Sequence, residues 1–101
     1  IIGVTCHNSI KLARNALLNG ADYIALGAFY KTKTKKVIHK ADVKILKKIK
    51  KFIKLPIVAV GGVNVNNYKK LLLNKADFLA ISGYIWSNKK FKPHKAINKF
   101  V

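Results

Sequence analysis

Methionine is absent from this sequence, and cysteine, tryptophan and arginine occur once each. Each shortage excludes something. A single cysteine, Cys6, rules out an intrachain disulfide and fits a reducing compartment, so a cytoplasmic location is expected. No apolar run approaches the roughly 18 residues of a membrane-spanning helix, so no membrane partner is expected. The acids are three, Asp22, Asp42 and Asp77. Asp22 and Asp77 precede apolar runs and Asp42 stands where a helix cap belongs, so none makes a good metal ligand. With Arg14 as the only guanidinium, the side chain best suited to reading base edges and forking onto phosphates is nearly missing. The chain also opens on Ile1-Ile2 in what reads as mid-strand, and is expected to be a piece of a longer protein.

What is abundant is lysine. The net charge is +18 over 101 residues, half of them hydrophobic. Such a balance normally raises nucleic acid as a partner. Here the lysines fall mostly on the outer faces of expected helices, interleaved with Ile, Asn and Leu, and a substitution bias explains them as well as a partner does.

Apolar runs and helical stripes alternate. Ile1-Ile2-Gly3-Val4-Thr5 reads as a buried strand, Asn8 or Ser9 can cap, and Ile10, Ala13, Ala16 and Leu17 fall at helical spacing before the Asn19-Gly20 stop. Ala21 to Gly27 is the next strand. Asp42 can cap a helix whose stripe is Val43, Leu46, Ile49 and Ile53 and whose wet face carries Lys44, Lys47, Lys48, Lys50 and Lys51, closed by Leu55-Pro56. Ile57 to Val60, with no polar interruption, reads as a strand buried on both faces. Gly61-Gly62 ends it, Asn64 can cap, and a helix runs through Tyr68, Leu71 and Leu72. Phe78 to Ile81 is the fourth strand, and a last helix opens at Pro93.

Four strand-helix units in strict alternation imply a parallel sheet with helical crossovers. Two folds fit, a flavodoxin-like open sheet and a (β/α)8 barrel. An internal echo favours the barrel: Asn19 to Gly27 parallels Asn74 to Ser82, 55 residues on and two units later. The fold expected is therefore α/β, the C-terminal half of a TIM barrel in four β-α units, with residues 1–101 as one partial domain.

The chemistry gathers after the strands. Gly27-Ala28-Phe29-Tyr30-Lys31-Thr32-Lys33-Thr34-Lys35-Lys36 follows the second, and its Thr-x-Thr-Lys offers two hydroxyls and a run of ammonium groups suited to phosphate. A lysine-rich chain also makes basic loops by chance, so position matters. Thr5 and His7, then Thr32 to Lys35, then Gly61-Gly62, then Ser82-Gly83 all follow strand C-terminal ends. In a barrel these share one face, where glycine lets the backbone approach an anion.

Gly3-Val4-Thr5-Cys6-His7, Gly20 to Ile24, Gly27 to Lys35, Pro56 to Gly62 and Ala76-Asp77 together resemble the C-terminal half of thiamine-phosphate synthases, over essentially the whole chain. The Thr-x-Thr-Lys after a Gly-x-x-aromatic strand end is the most specific element. The resemblance implies a transferase that joins hydroxymethylpyrimidine diphosphate to thiazole ethyl phosphate and releases pyrophosphate. It implies Thr5 on the pyrimidine diphosphate, where the family usually has serine, and Lys35 on the leaving pyrophosphate. Thr32 and Thr34 would hold the thiazole phosphate, with Lys33 between them in the substrate-binding set, and Gly62 would offer its backbone to the same phosphate. Ser82-Gly83 matches the last-strand site with its serine displaced by one, which favours a backbone donor there. Mg²⁺ is implied too, its ligands expected in the half absent here. The partners implied are small phosphorylated substrates.

Two alternatives remain from the residues. A thiazole tautomerase, a relative with the same barrel, would use a histidine matching His7 as acid or base. A basic nucleic-acid-binding module would need no catalysis at all. Oligomeric state stays open. As half a barrel, the isolated chain would leave two strand edges unpaired and is expected to be unstable or aggregating, and inactive alone.

Overall fold

The apolar runs and the helical stripes separate cleanly in space. In a computed structural model the described residues are 1–30, 41–86 and 88–100. Four strands, β1 (Gly3–His7), β2 (Tyr23–Leu26), β3 (Ile57–Ala59) and β4 (Phe78–Leu79), alternate with α1 (Ile10–Leu18), α2 (Lys44–Lys50), α3 (Tyr68–Leu73), α4 (Gly83–Trp86) and α5 (Pro93–Asn98). All three strand pairings are parallel and the spatial order is β1-β2-β3-β4. Every crossover therefore steps the same way, and right-handed crossovers that never reverse put their helices on one face. That winding belongs to a barrel. A doubly wound sheet reverses its order.

Register decides what each face carries. Ile24 pairs with Ile57 and Leu26 with Ala59, and all four are fully buried with Ala13, Leu46, Ile49, Ile53 and Leu71 of the helical layer. Period-2 alternation sends the intervening residues to the other side, where Ala25 pairs with Val58 and Val58 with Phe78. Phe78 is 60% exposed there and Tyr23 38%. The expectation that β3 is buried on both faces is thus met on one face only. Four strands and one helical layer do not cover the second.

Helix boundaries follow local chemistry. Ser9 caps α1, its hydroxyl accepting the Leu12 N–H at 3.1 Å. Asp42 accepts the Lys44 N–H at 2.9 Å at the head of α2. The regular part of α2 stops at Lys50, although Ile53 still donates to the Ile49 carbonyl and is fully buried. β1 lies later than expected, through His7, because its pairing skips from Thr5↔Ala25 to His7↔Leu26 and leaves Cys6 as a bulge with its side chain in the core. α4 was not anticipated. It is a single turn in which the Ser82 carbonyl accepts from Ile85 and Trp86, and four residues rich in aromatics carry no readable period.

The echo in the sequence is an echo in space. The Asp22 carboxylate accepts the Ile2 N–H at 2.6 Å, and the Asp77 carboxylate accepts the Ile57 N–H at 2.9 Å, each across 20 residues. Asn19 donates its side-chain amide to the Asn15 carbonyl and Asn74 to that of Lys70. Each pair of units thus ends its helix and starts its second strand with the same bonds.

Candidate functional site

Parallel pairing places all four strand C-terminal ends along one edge of the sheet, and backbone bonds continue past the strands. Gly27 N–H donates to the His7 carbonyl at 3.0 Å, Val60 N–H to Leu26 at 2.9 Å, and Ala80 N–H to Ala59 at 2.9 Å. Beyond these, the loop after β2 and the loop after β3 are tied together, since Phe29 N–H donates to Val60 at 3.2 Å and Tyr30 N–H to Gly61 at 3.1 Å. Phe29 and Val63 are buried anchors, one in each loop. The two segments lie very close. A Cβ on Gly61 would stand 2.4 Å from the Ala28 Cβ, and φ is +96° at Gly61 and +62° at Gly62. Both observations require glycine at Gly61.

Thr32, Lys33, Thr34 and Lys35 lie outside the described residues. The residues that bound that segment do not. Tyr30 N–H donates to the Gly61 carbonyl, and Ala41 N–H donates to the Ala28 carbonyl at 2.8 Å. Thr5 is exposed in β1, one residue before the bulge, and His7 is exposed at its end with φ of +52°. Ser82 stands between β4 and α4, its carbonyl turned into that helix. Gly62 and Ser82 therefore follow strands on the same edge, whereas Thr5, expected at a strand end, lies inside β1 two residues before its last residue, His7.

The acids stand elsewhere. Asp22 and Asp77 serve the N-terminal ends of the strands, and Asp42 serves α2. Among the described residues no group of three or more His, Cys, Asp or Glu could hold a metal ion. Each already accepts a backbone N–H away from the strand C-terminal edge, so these carboxylates do not fit Mg²⁺. Burial pushes the Cys6 thiol up and makes it a poor nucleophile.

Two residues of the edge were not singled out by sequence as functional. The Tyr30 hydroxyl is buried without a hydrogen-bond partner among the described residues, and burial raises its pKa. Asn67 bridges the turn after the glycines, its Oδ1 accepting the Asn64 N–H at 2.9 Å and its Nδ2 donating to the Gly62 carbonyl at 3.0 Å. An asparagine five residues after a glycine pair was the available signal.

The parallel, in-order sheet with its alternating helices defines four β/α units of a (β/α)8 barrel. A family model described as thiamine monophosphate synthase matches residues 1–85, and the chain belongs to that family. The thiamine-phosphate synthase of Pelagibacter ubique (strain HTCC1062) is 68% identical over 99 residues, which are 98% of this chain and 48% of the relative. That of Rhodospirillum centenum (strain ATCC 51521 / SW) is 44% identical over 88 residues, 87% of this chain and 42% of the relative. Among solved structures, thiamine phosphate pyrophosphorylase from Pyrococcus furiosus superposes with a TM-score of 0.80 at 30% identity, covering 98% of this chain and 46% of that one. A structure titled "Native KDPGal structure" shares the fold, with a TM-score of 0.72 at 15% identity. The chain spans about half the length of the curated relatives it matches.

Proposed function

We propose that this chain supplies part of the active site of a thiamine-phosphate synthase, a transferase that joins hydroxymethylpyrimidine diphosphate to thiazole ethyl phosphate and releases pyrophosphate. The observation that carries the reading is the bond from Tyr30 N–H to the Gly61 carbonyl, which joins the loop that follows β2 to the glycine pair that follows β3. In the reaction the bond from the pyrimidine methylene to the diphosphate oxygen breaks, the thiazole nitrogen bonds to that carbon, and pyrophosphate departs with the electron pair. Two tasks follow. Negative charge on the departing group must be stabilised, and the thiazole must be held in line. Lys35 takes the first, with Thr5 on the same diphosphate. Thr32, Thr34 and the backbone at Gly62 take the second, with Lys33 adding charge and Ser82-Gly83 a backbone donor.

Mg²⁺ belongs to this proposal only through residues beyond those present, since none of the three aspartates stands at the edge. No helix among the described residues is long and apolar enough to cross a membrane. We place the reaction in the cytoplasm, in keeping with the lone free Cys6.

The test grafts this chain, whole, in place of the 99 matched residues of the Pelagibacter ubique synthase. The grafted enzyme is expected to make thiamine phosphate, and Lys35→Ala to lower kcat/KM by about 100-fold. A folded graft without product would overturn the reading.

A further inference from the structure

We infer that Asn67 is a positioning residue that fixes the direction of the backbone donors at Gly62 and Val63; this rests on the phosphate role proposed for Gly62. Gly61 and Gly62 both have positive φ, and without a Cβ the peptides around Gly62 have little steric reason to keep one orientation. Two bonds supply that reason. The Gly61 carbonyl is held by Tyr30 N–H at 3.1 Å, and the Gly62 carbonyl by Asn67 Nδ2 at 3.0 Å. In a planar trans peptide the carbonyl and the following N–H point in opposite directions. Pinning the Gly61 carbonyl therefore aims the Gly62 N–H away from Tyr30, and pinning the Gly62 carbonyl aims the Val63 N–H away from Asn67. Neither N–H donates to an acceptor among the described residues.

The carboxamide is itself held. Its Oδ1 accepts the Asn64 N–H at 2.9 Å, while the Asn64 side chain accepts the Asn66 N–H at 2.8 Å and the Asn64 carbonyl the Tyr68 N–H at 3.1 Å. Asn67 thus needs a donor and an acceptor on separate atoms of one planar group: aspartate lacks the donor, alanine lacks both, and serine has both only on a single oxygen. Its place at the head of α3 ties the donor direction at Gly62 to a helix whose Leu71 is fully buried. An anion bound by these two N–H groups meets them already oriented, which is the economy of preorganisation.

The test uses the grafted enzyme with Asn67→Ala and Asn67→Asp. Asparagine to aspartate keeps the acceptor for Asn64, loses the donor to Gly62 and adds a negative charge, whereas alanine removes both bonds without adding charge. Both variants are expected to raise KM for thiazole phosphate about tenfold, the size of one net hydrogen bond, with kcat and KM for the pyrimidine diphosphate unchanged. A loss confined to Asn67→Asp would assign the effect to charge and overturn the proposal, as would an unchanged KM in Asn67→Ala. Inorganic phosphate, titrated onto ¹⁵N-glycine-labelled protein, gives a readout independent of turnover. The Gly62 amide signal is expected to shift in the unsubstituted protein, and at about tenfold higher phosphate in the variants. A graft that shifts this signal without making product would sink the synthase reading and keep the Asn67 one. A Gly62 signal indifferent to phosphate would sink the Asn67 one.

Discussion

Gly20 and Lys75 take the same left-handed turn at the same point in two successive pairs of β/α units, with φ of +83° and +79°. Each follows a helix whose last turn is closed by asparagine, and each precedes the alanine and aspartate that begin a strand. The position asks for glycine, and only one copy has it.

Replacing Lys75 by glycine is therefore expected to stabilise the fold by up to about 1 kcal/mol, the cost of a left-handed conformation less the entropy glycine adds to the unfolded chain. Gly20→Ala should lose about as much. A Cβ at Gly20 meets no atom within 4 Å, so that loss is conformational alone. Urea midpoints of the grafted enzyme measure both.

Gly61→Ala tests the close approach of the two loops. Its added methyl meets Ala28 in a backbone conformation L residues rarely adopt, so both strain and overlap must be relieved. A loss of about 3 kcal/mol is expected, together with loss of phosphate binding. An unchanged melting temperature would mean that the loops separate more easily than their hydrogen bonds suggest.

The stitch at Asp77 carries a pH dependence. Partial burial works to raise its pKa, but the hydrogen bond from Lys50, the Ile57 N–H and the Lys50 charge together hold it below the usual value. A depressed carboxylate contributes stability above its unfolded pKa of about 3.9 and loses it as pH falls through the lower folded value. Acid should therefore weaken the fold below about pH 4, and Asp77→Asn should flatten that limb. The pair is partly exposed, so solvent screening keeps the effect small, about 1 kcal/mol or less at neutral pH. Stability profiles of both proteins from pH 2 to 7 decide it.

Lys35→Ala and His7→Ala separate the synthase from a tautomerase. The synthase should lose about 100-fold in kcat/KM with the lysine change and keep most activity with the histidine change. The opposite pattern, with thiazole isomerisation as the activity lost, would favour the tautomerase.

The isolated 101-residue chain should melt over a broad range and scatter light increasingly with concentration. Among the described residues β1 and β4 are the edge strands of the sheet, and Phe78 and Tyr23 add apolar surface on the face opposite the helical layer. A sharp, concentration-independent monomeric transition by circular dichroism would contradict this.

The pattern of residues made the four units legible because each strand is an apolar run bounded by glycine, proline or asparagine, and α1 and α2 have clear stripes. The 55-residue echo pointed to the barrel, and its physical content is the pair of aspartate stitches. The bulge at Cys6 was hidden because an extra residue in a strand changes register without changing composition. α4 was hidden by its length. At the edge, the glycines and the asparagine could be seen, but not that Asn67 grips Gly62. That bond depends on how the turn from 62 to 67 closes, which spacing alone does not reveal.

The in-order strand sequence also bears on how the chain is made. Each new strand lies against the one synthesised just before it, so a unit emerging from the ribosome meets its neighbour already complete. With synthesis at about 5 to 20 residues per second, about 1 to 7 seconds separate successive strands, long compared with hairpin or helix formation. Assembly can proceed as a zipper from the first strand onward, with long-range search needed at no step within these four units.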